Sequence, residues 1–330
     1  MRRPARTKTR ALLVVALVAA GLGLAGAPAS AAPVAISLCA LPGTLHPLPV
    51  TAPAVSIPIW GFGVPSTPGN CATATASLPG PVLSVTEGDT VTVTVTNALP
   101  AGHTLRFEIP GIDFAAGPTD AAAGATVTRS FTASAPGTYS YQSGGDAGRQ
   151  AAMGLAGALV VRPTTPNQAY GSAATGYDVE ATMVLGAVDP AFNAAPDTAD
   201  LHAYRATYWL INGRSYPDTA GVTAAAGQRV LLRYVNAGYD NTTMVLLGMH
   251  ERVLARDARL LLNPVDADAE TLPAGGTEDA VATMPSTPPP STHGFPLYNR
   301  QLHLTNGNVP TPAAPNPVYA PGGMLTFLHS

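Results

Sequence analysis

Hydrophobic and polar positions alternate with a period of two over much of the chain, which is the spacing of half-buried strands. The clearest case is GDTVTVTVTN, where Val91, Val93 and Val95 fall on one face and Thr92, Thr94 and Thr96 on the other. PVLSV precedes it, and TVTRSF, TYSYQ and GALVVRP follow as further short strands between Gly, Pro and Ala turns. Residues 32–77 are rich in Pro, Ala and Ser and carry the apolar patch IPIWGFGVP around Trp60. They predict irregular structure with one or two edge strands. Farther on, ATMVLGAVDP and YWLINGRSYPD predict strands, the second closing on an Asn212-Gly213 turn, with an insertion loop from Ala191 to Ala203 between them. MPSTPPPSTHG, residues 284–294, is a connection too proline-rich to join a central strand. FPLYNRQLHLTN and GGMLTFLHS read as closing strands, and little helix is expected.

The pattern repeats. GDTVTVTVTNA at 88–98 and GQRVLLRYVNA at 227–237 share a turn glycine, a strand and a terminal Asn-Ala. Self-similarity of this kind implies two copies of one β-domain. The boundary falls near RPTTPNQAYGS, giving a first domain over 32–163, with a Pro-rich lead-in, and a second over 164–330. Composition agrees: Gly and Pro, 33 each, make up a fifth of the 330 residues, and charged residues only 11%. With so many Val and Thr runs this favours sandwiches with long turns, and 46% hydrophobic residues are enough to bury a core.

Residues 1–31 break the pattern. A basic head, MRRPARTKTR, leads into an apolar run of about 15 residues and then Ala29-Ser30-Ala31, the form of a cleavable leader. The alternative is an uncleaved membrane anchor, which needs about 20 apolar residues. Arg2-Arg3 hints at a twin-arginine leader, and Pro4 argues against it. No other segment is long and apolar enough to span a bilayer, so a secreted protein or one at the cell-envelope exterior is expected. Without the leader's five cations, twelve Lys and Arg remain against twenty acidic residues, a formal charge of −8. Lys8 is the only lysine, so the mature surface has no footprint for nucleic acid or anionic lipid. Cys39 and Cys71 are the two cysteines. Export favours a disulfide that staples the lead-in to the first domain, two free thiols being the alternative.

The motif order gives the chain a resemblance. LPGPVLSVTEGDTVTVTVTNALP, APGTYSYQS and MGLAGALVV are similar to the first cupredoxin domain of multicopper oxidases. INGRSYPD, GQRVLLRYVNA, LLGMHERVLARDA and LPAGGTEDAV look like their second, so that the likeness runs from about Trp60 to Asp279 and more loosely to the end. It implies an all-β fold, two Greek-key cupredoxin-like β-sandwich domains in tandem, and copper-borne electron transfer to oxygen.

The ligands that chemistry requires are not at the matching positions. The family uses His-x-His pairs on strands, because i and i+2 point to one face and two imidazoles then converge on a metal cluster. Where the family has His-Trp-His-Gly, this chain has Arg106, Phe107, Glu108 and Ile109. Where a second His-x-His follows Gly-Thr-Tyr, it has Gln142, Ser143 and Gly144. No His-x-His occurs in the chain and no cysteine follows Cys71, so the thiolate of a blue site is missing as well. The vacated positions Arg106, Glu108, Gln142 and Gly144 are expected to form a polar pocket, in which Arg106 pairs with Glu108 or Asp113. A surface ion pair is the simpler reading.

Of the seven histidines, His46, His103, His202 and His250 have no metal-ligand spacing; His293, His303 and His329 are the weak candidates for an improvised site, against the plainer reading of satisfied or exposed rings. Asp257 reads as a turn residue and Ser143 lacks a nucleophile-elbow context. Asn241-Thr242-Thr243 is a glycosylation sequon by pattern alone. The expectation is a secreted protein on an oxidase scaffold that has lost copper catalysis, needs no cofactor, and binds a protein or small-molecule partner or serves a structural role. The alternative is a copper-dependent oxidoreductase with non-standard ligands, or ligands completed between the subunits of a homotrimer, as two-domain relatives in the family do.

Overall fold

The computed structural model describes residues 32–48, 55–117, 119–306 and 322–330; the leader expected at 1–31 lies outside them. Alternation along the chain becomes two sandwiches. The first contains β1 (Pro33–Leu45), β2 (Ile57–Gly63), β3 (Leu83–Thr86), β4 (Thr90–Asn97), β5 (Leu105–Glu108), β6 (Asp120–Ala121), β7 (Thr126–Thr132), β8 (Gly137–Ser143) and β9 (Ala156–Arg162). Its sheets run β2-β1-β4-β7 and β3-β9-β8-β5-β6. In β4 the valines are fully buried while the threonines between them are half-buried or exposed. They pack with Leu38, Phe62, Phe107, Val127, Phe131 and Leu159 from both sheets.

The second contains β10 (Val179–Val188), β11 (Tyr208–Ile211), β12 (Val222–Thr223), β13 (Arg229–Asn236), β14 (Thr242–Leu246), β15 (Glu251–Arg256), β16 (Arg259–Ala267), β17 (Ala269–Leu272), β18 (Thr277–Thr283), β19 (Phe295–Asn299) and β20 (Leu325–His329). Its sheets run β11-β10-β13-β18-β15-β16 and β12-β20-β19-β14-β17. The internal repeat is structural. β1 runs parallel to β4 as β10 runs parallel to β13. Each copy ends on a buried asparagine: Asn97 Nδ2 donates to the carbonyls of His103 and Ala121, and Asn236 Nδ2 to those of Asp240 and Leu272. Both side-chain oxygens accept from the backbone two residues on. That shared duty explains why Asn recurs at the end of both repeats.

One expectation is corrected. The lead-in is not mostly irregular, since β1 is a 13-residue strand inside its sheet, between β2 and β4. Pro33 sits at its first position and Pro42 lies past the stretch paired with β4, so neither proline removes a needed donor there. Cys39 on β1 is bonded to Cys71, so the expected staple is present.

The sandwiches meet through an apolar contact of Leu45, Ile57 and Ile59 with Val188 and Leu210. The insertion loop clasps the first sandwich. Phe192 and Tyr204 enter its core, Asn193 Nδ2 donates to the carbonyl of Pro58 at 2.8 Å, and Arg149 donates to the carbonyls of Pro196 and Ala199. Asp189 caps the short helix α1 (Pro190–Ala194) that begins the clasp.

Candidate functional site

The register of β5 against β8 decides what the vacated positions form. Phe107 pairs with Ser143 and Glu108 with Gln142. Alternation then buries Leu105, Phe107 and Ser143 and turns Arg106, Glu108, Gln142 and Gly144 to the opposite face. The four positions therefore do come together on one face. A Cβ placed on Gly144 would meet the Glu108 carboxylate oxygens at 2.5 and 2.6 Å, so that carboxylate lies across the glycine.

The ion pair differs from expectation. Arg106 pairs with neither Glu108 nor Asp113, but with Asp120 across the β5–β6 ladder, Nε to Oδ1 at 2.7 Å and Nη2 to Oδ2 at 2.9 Å. Cross-strand pairing puts Asp120 directly opposite Arg106, a partner that strand spacing along β5 does not reveal. The hydrogen bond that Arg106 donates to Asp120 raises the Arg106 pKa, and the same bond lowers that of Asp120. Both side chains are well exposed, so the pair contributes little to stability.

Beneath this face runs a polar chain, buried at Ser143 and Gln150 and reaching the surface at Asp197. Ser143 Oγ donates to Gln150 Oε1 at 2.6 Å, and Gln150 Nε2 reaches the Thr104 carbonyl and Asp146 Oδ2, each at 3.0 Å. His103 Nδ1 lies 2.7 Å from Asp146 and its Nε2 3.1 Å from Asp197 of the clasp, with Trp60 packed 4.4 Å from the ring. Sequence reasoning passed over His103 because its partners stand 43 and 94 positions away, with no shared motif.

The three C-terminal histidines do not converge. β19 and β20 are antiparallel, Phe295 opposite Leu328 and Tyr298 opposite Leu325. His293 and His329 therefore lie toward one end of the pair and His303 beyond the other. His293 packs on Phe327, His329 Nε2 lies 2.9 Å from Thr223 Oγ1, and His303 stacks on Trp209 at 4.1 Å. Burial lowers the His303 pKa. Among the described residues no three His, Cys, Asp or Glu side chains are grouped to hold a metal ion. As for copper on the β5–β8 face, the donor set does not fit. It offers a guanidinium, one carboxylate, one amide and a glycine in place of imidazoles.

Two other features stand out. A cavity of about 540 Å³ opens in the first sandwich, lined by Ile112, Phe114, Phe131 and Tyr139 with Asp113 and Thr132. At the domain junction Arg233, wholly buried, donates to Asp279 Oδ2 at 2.9 Å, to Thr138 Oγ1 of β8 at 3.1 Å and to Glu180. Thr138 and Tyr170 also donate to Asp279. Burial works against the Arg233 charge, yet Asp279 and Glu180 outweigh it and hold its pKa above the ordinary value.

Comparison with known proteins agrees with this architecture. Residues 65–166 match the profile of the family described as multicopper oxidase. A curated relative, Laccase-3 of Oryza sativa subsp. japonica, is 25% identical over 242 residues, 66% of this chain. The chain spans 41% of that relative's length. Among solved structures, the blue copper oxidase of Nitrosomonas europaea superposes with a TM-score of 0.70 at 20% identity, covering 89% of this chain and 85% of its own. The multicopper oxidase mgLAC gives 0.70 at 22% identity, covering 91% and 87%.

Proposed function

We propose that this chain, a multicopper-oxidase-like tandem of cupredoxin sandwiches, is an exported protein that does not carry out the family's copper chemistry and serves as a binding or structural component outside the cytoplasm. The observation that carries the reading is the β5–β8 face. Where the family resemblance calls for imidazoles, two paired strands present Arg106, Glu108, Gln142 and Gly144, and the guanidinium is already engaged by Asp120. A cationic side chain repels a metal ion, and an amide is a poor substitute for imidazole. A binding role is supported by the cavity beside Phe114 and Tyr139, whose volume of about 540 Å³ is in the range of small-molecule sites.

The test is copper analysis of the full-length protein, exported from cells grown with copper and assayed by elemental analysis and electron spin resonance. The expected result is well under one copper per chain and no oxidation of phenols or metal ions. One or more tightly held coppers with a spin signal would overturn the reading. Copper found only in a homotrimer would move the chemistry to a site between subunits.

A further inference from the structure

We propose that cutting the leader after Ala31 creates the charge partner of a buried carboxylate, the new α-ammonium of Ala32 pairing with Asp89. The inference rests on reading residues 1–31 as a leader, and it adds a structural consequence of the cut.

Asp89 is only 4% exposed, and its carboxylate is held by backbone N–H groups rather than by a cationic side chain. Its carboxylate accepts two backbone N–H bonds, Oδ1 from Ala32 and Oδ2 from Thr86, each at 2.8 Å. A carboxylate so far removed from water is costly without an opposite charge. The nitrogen that a cut after Ala31 would set free is already in place. The Ala32 carbonyl accepts from Thr90 N at 3.1 Å, and Pro33 pairs with Thr90 where β1 begins beside β4. Ala32 itself is exposed, and Ala29-Ser30-Ala31 precede it.

The chemistry is hydrolysis by a leader peptidase. Water adds to the Ala31 carbonyl and the C–N bond to Ala32 breaks. Ala31 leaves as a carboxylate on the leader, and the Ala32 nitrogen takes up protons to become an ammonium, since α-amino groups titrate near about 8. A neutral N–H bond to Asp89 thereby becomes a charge-assisted one. Asp89 also links two turns: its carbonyl accepts from Ala133 N at 2.9 Å, and Gly88 N donates to the Ala133 carbonyl at 2.8 Å. The new ion pair therefore tightens the end of the first sandwich where β3, β4 and β7 meet.

The test begins with the intact mass of the exported protein, which should start at Ala32. Two forms are then compared by thermal melting, one starting at Ala32 and one with Gly-Ser ahead of it, each with Asp89 and with Asp89→Asn. At pH 7 the form starting at Ala32 should melt about 2–4 °C higher. The advantage should fade as pH rises past the ammonium pKa, and should be absent in Asp89→Asn. A retained leader, a start at another residue, or equal melting of the two Asp89 forms overturns the proposal. If Asp89→Asn does not fold, the two Asp89 forms and their pH dependence still decide. A retained leader would also count against export, whereas a start at another residue or equal melting would leave the functional reading untouched, and none of these outcomes bears on copper content; the two failures are therefore told apart.

Discussion

Replacing Glu251 by Gln should remove much of the pH dependence of the second sandwich's stability. Glu251 begins β15 with its side chain in the core, 2% exposed, and Tyr234 donates its hydroxyl to Oε1 at 2.6 Å. Burial disfavours the charged form and is the largest influence; the Tyr234 hydrogen bond opposes it and the Glu278 charge adds to it, so the pKa rises from 4.5 to about 7. The folded state thus holds a proton that the unfolded chain releases. The resulting stabilisation is complete below the unfolded pKa, near 4.5, and is lost as pH rises through about 7. A rise from 4.5 to about 7 corresponds to about 3 kcal/mol. Glu278, also raised to about 7, adds a slope of its own that the substitution leaves in place. The difference between wild type and Glu251→Gln therefore reports Glu251 together with its coupling to Glu278. Urea unfolding followed by tryptophan fluorescence, with Trp209 reporting on the second sandwich, should be run at intervals from pH 4.5 to 8. The variant should gain about 3 kcal/mol on wild type across that range, whatever the fixed offset between them. Two parallel curves would refute the reasoning, because they would mean that Glu251 titrates alike in the folded and unfolded chains.

Two further outcomes follow from the core and the staple. Asp279→Asn leaves the wholly buried Arg233 charged and short of its more deeply buried carboxylate partner, and should cost about 3–5 kcal/mol by denaturant unfolding. Arg233→Met combined with Asp279→Leu should recover most of that loss, and a double variant as unstable as the single one would contradict this account. Replacing Cys39 and Cys71 together by Ala opens a loop of sequence separation 32 and should cost about 3–4 kcal/mol in the chain-entropy treatment, read as a lower denaturation midpoint.

The sequence by itself determined the class of fold, the internal repeat and the residue types at the positions that resemble the family's ligand motifs. Alternation in β4 reports which face of a strand is buried, and that is a property of neighbouring residues. The two terminal asparagines, Asn97 and Asn236, marked equivalent strands before any contact was known. Ligand identity is a matter of residue type, so the lack of imidazoles at Arg106, Glu108, Gln142 and Gly144 needed no coordinates. Tertiary structure alone decided which partners those residues meet. It paired Arg106 with Asp120, placed β1 inside its sheet, sent His303 to the opposite end of the β19–β20 pair from His293 and His329, and built the junction around Arg233. The reason is distance along the chain. Thr138 and Asp279 stand 141 positions apart, and contacts of that range depend on sheet order and register, which no local spacing encodes.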